Sequence, residues 1–331
     1  MHILHQLEQE IFSTTTPHSF EALAMRVFEY QSQHNRMYAQ YLAYLNIDVK
    51  SIANISQIPF LPVELFKTHR ILVDDCTPQI TFSSSSTTGT GQSLHYVPNL
   101  TVYENSFNKA FNLFYGDVKN YVVLALLPSY QEREGSSLIY MVDSLINESQ
   151  NKTSGYFLNE NQKLHTTLLQ LIATNTPTLL IGVSYALLDF IEEYQLHNAT
   201  NLIVMETGGM KGKRKELTKE ELHAQLKTGF GVAHIHSEYS MTELLSQAYS
   251  QGDGVYSCPP WMRVLIRDTN DYKQLLPHNK SGGVNIIDLA NLYSCAFIAT
   301  QDLGKLHTDT TFEILGRFDN SDIRGCNLLV Q

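Results

Sequence analysis

From residue 20 onward the apolar positions recur at helical spacing. Phe20, Leu23, Val27 and Tyr30 form one stripe, and Tyr38, Tyr41, Leu42 and Leu45 form another, so the spacing predicts helices over both stretches. In IPFLPVELFKTH, Pro59 and Pro62 forbid a continuous helix. From residue 79 the character changes. Apolar runs at 121–127 (YVVLALL), 178–183 (TLLIGV), 201–205 (NLIVM) and 232–236 (VAHIH) have strand length and content. Further runs at 262–267, 284–289 and 295–299 follow with almost no helix between them. Strand–helix alternation up to about residue 250 predicts parallel sheets flanked by helices, and the strand-rich remainder a smaller β-rich subdomain. The fold class is therefore α/β. Its expected parts are a helical segment over 1–78, an α/β core over 79–255 and the β-rich part over 256–331.

Two capping boxes punctuate this pattern. Thr101 with Glu104 is expected to open a helix ending at Gly116, and Thr218 with Glu221 one ending near Gly229. HSEYSMTELLSQAYS, residues 236–250, places Tyr239, Thr242 and Glu243 where the VAHIH strand should meet a helix. His234 and His236 share a face of that strand, but no third ligand is near, so they read as packing or polar lining. Gly182-Val-Ser184-Tyr-Ala186 fails as a nucleophile elbow because Ala186 stands where glycine is required; Ser184 reads as a helix N-cap.

Composition narrows the class. The chain has 331 residues, 43% hydrophobic and 17% charged, which is ample for a large core and excludes general disorder. Lys and Arg number 23 against 33 Asp and Glu, a net charge of −10, which argues against nucleic-acid binding. Four scattered cysteines show no metal spacing. No signal peptide is evident, and the longest apolar stretches are too short to span a bilayer. A soluble, cytoplasmic protein is expected.

Three segments carry candidate chemistry. FSSSSTTGTGQS offers small hydroxyls, glycines and backbone N–H groups that can wrap an anion. It is not a Walker A loop, because Ser86 and Gln92 stand where glycine and lysine are needed; Leu94 likewise breaks a dinucleotide fingerprint. In YSMTE, Glu243 can hold Mg²⁺ and Tyr239 can lie flat on a base. In TQDLG and GRFDNSDIRG, Asp302 can accept two ribose hydroxyls and Arg317 can reach a phosphate or carboxylate.

In this order the pieces resemble adenylate-forming ligases: a hydroxyl/glycine phosphate loop, Y-x-M-T-E, T-x-D-x-G, and a GR-x-x-D hinge. IPFLPVELFKTH, LLPSYQEREGSSLIYMVD, METGGMKGKRKELT, PPWMRVLIRD and NIIDLAN narrow the resemblance, over roughly residues 20 to 331, to the acyl-protein synthetase (LuxE-like) branch. The resemblance implies the amino-terminal-domain fold of those ligases, without their small lysine-bearing carboxy-terminal domain. It implies ATP with Mg²⁺, a fatty acid substrate and an acyl reductase protein partner. Ser84, Ser85, Thr87, Thr88 and Gly89 would embrace the ATP phosphates. Gly208 and Gly209 with Ser237, Glu238 and Tyr239 would form the adenine slot. Thr242 and Glu243 would contact the α-phosphate and metal, Asp302 the ribose, and Arg317 the ribose or phosphate. Ser86 and Ser240 replace glycines of the family pattern.

Cys326 stands apart from the other cysteines. Arg324, two residues earlier, favours its thiolate, and the resemblance implies that a cysteine near the carboxyl terminus accepts the acyl group. A phenylacetate-type CoA ligase is the competing enzyme reading. A catalytically silent nucleotide- or acyl-binding subunit is the reading from another class.

Overall fold

The computed structural model describes residues 2–14, 16–74, 76–84, 91–129, 133–209, 214–215 and 217–318. Its first part is helical: α1 (His2–Ile11), α2 (Pro17–His34) and α3 (Arg36–Tyr44). Phe20, Leu23 and Val27 of α2 and Tyr38 and Leu42 of α3 are buried, as their spacing requires. Helix α1 precedes the stripes read from the sequence, and it too buries Leu4, Leu7 and Ile11 on one side. The proline-rich stretch forms β1 (Leu61–Pro62) and a one-turn helix, α4 (Leu65–Thr68).

The alternating region runs β2 (Ile80–Ser83), β3 (Leu94–Val97), α5 (Leu100–Tyr115), β4 (Val122–Leu126), α6 (Ser137–Glu148), β5 (Gly155–Tyr156) and α7 (Asn161–Ala173). It continues through β6 (Thr178–Val183), α8 (Ser184–Glu193), β7 (Leu202–Thr207), α9 (Lys219–Phe230) and β8 (Ile235–Tyr239). The strands pair in parallel in the order β5-β4-β6-β7-β8. Every residue of β4 and β6 is buried, which is what helices on both sheet faces demand. Strands β2 and β3 form a separate antiparallel hairpin.

Beyond β8 come β9 (Ala248–Ser250), β10 (Val255–Ser257), β11 (Met262–Arg267), β12 (Ser281–Asp288), β13 (Phe297–Thr308) and β14 (Thr311–Arg317). They extend the same sheet, which is mixed rather than parallel: β9 pairs antiparallel with β8, and β10, β14, β13, β12 and β11 follow outward. Strand β10 bonds to β9 on one side and β14 on the other, so residues before and after 256 share one hydrogen-bonded ladder. Strand β1 joins β13 in parallel.

Three local expectations need correction. Asn99, not Thr101, caps α5, accepting the Thr101 N–H at 3.2 Å. Glu104 instead accepts the Tyr140 hydroxyl at 2.6 Å, because it faces α6. The Thr218–Glu221 box does form, but α9 runs through Gly229 and ends at Gly231, whose φ of 63° is left-handed. The VAHIH strand leads into an irregular turn and then β9, not into a helix.

Gly229 marks the closest approach of α9 to α8. A Cβ there would lie 2.5 Å from the Ile191 Cβ, well inside van der Waals contact. Gly229→Ala should therefore destabilise the fold by about 1–3 kcal/mol, the cost of overpacking. Ile191→Ala in the same chain removes the Cγ2 and Cδ1 atoms that would lie 2.6 and 2.9 Å from the new Cβ, though not the Ile191 Cβ, and should recover only part of that loss. Urea-unfolding midpoints of the three variants check both statements.

Candidate functional site

The hairpin β2–β3 carries the hydroxyl-rich loop. Its base is closed where the Ser84 N–H donates to the Ser93 carbonyl at 3.1 Å and the Ser93 N–H donates to Ser84 Oγ at 2.9 Å. Ser84 therefore already has a structural partner. Ser85, Thr87, Thr88 and Gly89 lie outside the described residues, as does Cys326.

Tyr239 at the end of β8, Asp302 midway along β13 and Arg317 at the end of β14 meet in the fold. The Tyr239 hydroxyl donates to Asp302 Oδ2 at 2.7 Å, and Arg317 Nε donates to Oδ1 at 3.1 Å. Asp302 and Arg317 are directly paired across the β13–β14 ladder. Burial pushes the Tyr239 phenol well above its ordinary range, so it stays protonated and can donate. Its ring is flanked edge-on by Tyr256 and Phe312, with centroids 5.8 and 5.7 Å away. Arg317 is largely exposed and Asp302 buried, so the carboxylate is set by the fold while the guanidinium faces outward.

Thr242 and Glu243 sit on the turn after β8. Glu243 is buried, and burial raises its carboxyl above the ordinary range, against the Ser93 hydroxyl, Arg317 and Lys67. The Ser93 contact joins the turn to the base of the hydroxyl-rich loop. His95 of β3 makes a second junction. Burial holds its imidazole down at about 4, so it is neutral near pH 7. Nδ1 lies 2.9 Å from the Thr242 carbonyl, which can only accept, so the proton sits on Nδ1 and Nε2 accepts from the Ser294 hydroxyl at 2.8 Å.

Gly208 and Gly209 are exposed at the end of β7, with Gly208 at φ 66°. Ser184, expected as an N-cap, is instead the first residue of α8. Its hydroxyl lies 2.9 Å from the Gly208 carbonyl and 3.2 Å from Glu206. Ser237 and Glu238 are buried in β8. Ser237 faces His223 at 3.3 Å, and Glu238 accepts the Thr207 hydroxyl at 2.5 Å. The structure thus brings together Tyr239, Asp302 and Arg317, and sets Thr242–Glu243 against the loop base. It encloses Ser237 and Glu238 behind them.

Sequence reasoning passed over the buried charges beneath the glycines. Glu206 pairs with Lys219 at 2.5 Å and His223 at 3.5 Å, and Lys219 also donates to the Tyr256 hydroxyl at 3.2 Å. Burial alone would raise the Glu206 carboxyl, but Lys219, His223 and Ser237 outweigh it and hold it at about 2. An acid inside the apolar run LIVMET was the signal, since a carboxylate in a buried strand demands a buried partner.

The model of the family "Acyl-protein synthetase, LuxE" matches residues 16–331. The chain belongs to the LuxE acyl-protein synthetase family. Membership places it among ATP-dependent, adenylate-forming ligases. A long-chain-fatty-acid–luciferin-component ligase from Vibrio harveyi is 24% identical over 328 residues, covering 92% of this chain and 85% of that protein. Among solved structures, an open conformation of 2-hydroxyisobutyryl-CoA ligase, in complex with 2-HIB-AMP and CoA, superposes with TM-score 0.67. It is 11% identical, covering 94% of this chain and 78% of that one. ATP-bound MatB from Rhodopseudomonas palustris gives TM-score 0.54 at 18% identity, over 74% of this chain. The chain spans about half the length of MatB, 49%. These likenesses establish the fold of adenylate-forming ligases for this LuxE-family chain.

The Glu206–Lys219 pair gives the LuxE-family fold a defined acid sensitivity. A carboxyl held at about 2 when folded, against 4.5 ordinarily, contributes stability that is full above about pH 4.5 and is lost as pH falls toward 2. Glu206→Gln should be less stable than the parent near neutral pH, and the gap should shrink steadily over that acid window. Unfolding midpoints at a series of pH values test this; a gap independent of pH would refute it.

Proposed function

We propose that this LuxE-family protein activates a fatty acid with ATP and Mg²⁺ and passes the acyl group to its own Cys326, from which a reductase partner takes it. The observation that carries the reading is the convergence of Tyr239, Asp302 and Arg317 beside a buried Glu243 that touches the loop base. This grouping suits a nucleotide. Among the described residues nothing lies within 4 Å of where a Gly209 Cβ would stand, which leaves room there for a flat base. Arg317 supplies an outward cation for a phosphate or ribose oxygen.

Among the described residues no cluster of three or more His, Cys, Asp or Glu could hold a metal by itself. That fits Mg²⁺, which usually takes one or two carboxylates and completes its shell with water and substrate phosphates. Glu243 would be its protein ligand, and the ion would neutralise charge on the phosphate oxygens. Ser84, Ser85, Thr87, Thr88 and Gly89 would donate to the phosphates, and Thr242 to the α-phosphate. The fatty acid carboxylate attacks the α-phosphorus, an O–P bond forms, and pyrophosphate leaves with the broken bond's electrons. Catalysis at this step is chiefly positioning and charge stabilisation.

In the second step the Cys326 thiolate attacks the acyl carbonyl and AMP leaves. Burial pushes the thiols of Cys258 and Cys295 up to about 12, which makes them poor nucleophiles near neutral pH and leaves Cys326 and the partly exposed Cys76 as the candidate acceptors. The Vibrio harveyi relative is named for a long-chain fatty acid, which supports that substrate class here.

Glu243→Gln should slow fatty-acid-dependent ATP–pyrophosphate exchange by roughly 10²-fold or more, the scale of one lost electrostatic stabiliser. Unchanged exchange would remove Glu243 from the reaction.

Cys326→Ser should keep pyrophosphate exchange but lose the hydroxylamine-labile label left by ATP and labelled fatty acid. Label surviving in that variant, or efficient acylation of free CoA, would favour the CoA-ligase reading instead.

A further inference from the structure

The chain from Ser240 to Gln247 has no regular structure. Among the described residues its one internal main-chain hydrogen bond runs from the Leu244 N–H to the Met241 carbonyl, at 3.0 Å. Such a turn cannot fix its own shape. Four of its other main-chain groups, the carbonyls of Thr242 and Glu243 and the N–H groups of Leu245 and Ser246, are met by buried side chains from distant elements. Asp288, at the end of β12, accepts the N–H groups of Leu245 and Ser246, both at 2.9 Å, and the Ser246 hydroxyl at 2.5 Å. Asn291 accepts the Leu245 N–H at 3.1 Å and donates to the Glu243 carbonyl at 2.8 Å.

A second tier holds the first. Gln31 of α2 donates to the carbonyls of Asn291 and Leu292 at 3.0 and 2.9 Å, and accepts the Ala296 N–H at 2.9 Å. Asn35, which caps α3, donates to the Ser294 carbonyl at 2.7 Å. Gln31, Asn35, Asp288 and Asn291 are all fully buried. Burying amides and a carboxylate is costly unless each is paired; here the pairs form one connected network, which rigidifies what it touches.

We infer that Gln31, Asp288 and Asn291 are positioning residues for Glu243, a polar spine that carries the rigidity of α2 into the turn. The inference rests on the reading of Glu243 as a contact to metal and phosphate. Each residue acts through the main chain of residues 243–246 and none touches substrate. The amino-terminal helices are then part of the catalytic apparatus as well as a cover for the sheet.

The test uses the full chain with Asn291→Ala, and Gln31→Leu, a near-isosteric change one tier away should the first variant fold poorly. Asn201→Ala is the control, because its amide likewise donates to two carbonyls, those of Leu171 and Thr176, before the start of β7. Both spine variants should lower kcat for pyrophosphate exchange by roughly 10- to 100-fold, the scale of a misplacement of about 1 Å, with ATP KM changed much less. Added to Glu243→Gln they should cost little more, because they act through the same group. Asn201→Ala should lower the melting temperature and leave kcat alone. Amide hydrogen exchange at Leu245 and Ser246, read without turnover, should quicken in both spine variants. Unchanged protection of those amides, or rate losses that multiply with Glu243→Gln, would overturn the inference. If Glu243→Gln itself exchanges like the parent, the role of Glu243 fails, and amide protection still decides whether the spine holds the turn.

Discussion

Strand β8 hydrogen-bonds in parallel to β7 along one edge and antiparallel to β9 along the other. That reversal in mid-sheet brings β14 and β13 back beside the carboxyl end of β8. Without it, Asp302 and Arg317 could not reach Tyr239. A parallel strand needs a long crossover connection, whereas an antiparallel one needs only a turn. The chain from Ser240 to Gln247 is that turn. Because it must exist for the sheet to change direction, it is also where a strand end gives way to irregular backbone, and Thr242 and Glu243 lie on it.

The site is surrounded by polar groups whose partners come from other elements. Beneath Gly208 the acid Glu206 is neutralised by Lys219 and oriented by His223. Beneath Thr242 the neutral His95 bridges to Ser294. Exchanging a whole cluster of this kind for well-packed apolar groups need cost little net stability, since desolvation cancels much of the attraction, whereas removing one partner is costly. What the polar clusters confer is one arrangement of the backbone in preference to many. Placing both clusters directly behind candidate ligand-binding segments is consistent with a site that relies on preorganisation for charge stabilisation.

Much of this was legible in the residue pattern. The stripes of α2 and α3, the runs of β4 and β6 and the Thr218 box followed from spacing and cap chemistry, which are local. Local reasoning went astray where two signals competed. The Thr101–Glu104 box does not form, because Asn99 caps the helix and Glu104 is engaged by the Tyr140 hydroxyl. Gly229 read as a helix end because glycine usually stops a helix, yet α9 continues past it, and the glycine is there because a side chain would strike Ile191. The run after VAHIH looked helical because EYSMTELL has good helix formers. The sheet's reversal overrode that propensity by taking its N–H groups for Asp288 and Asn291.

The sequence by itself determined the α/β class and the order of the chemical segments: the hydroxyl-rich loop, YSMTE, TQDLG and GRFD. These depend on residue type and short spacing, which survive in a string of letters. Only the tertiary structure decided that Tyr239 donates to Asp302, that Ser237 and Glu238 are enclosed, and that Gln31 supports a turn more than two hundred residues away. Such contacts join positions with no periodic relation. Their energies exist only when burial has removed water from both partners, and burial is a property of the whole fold.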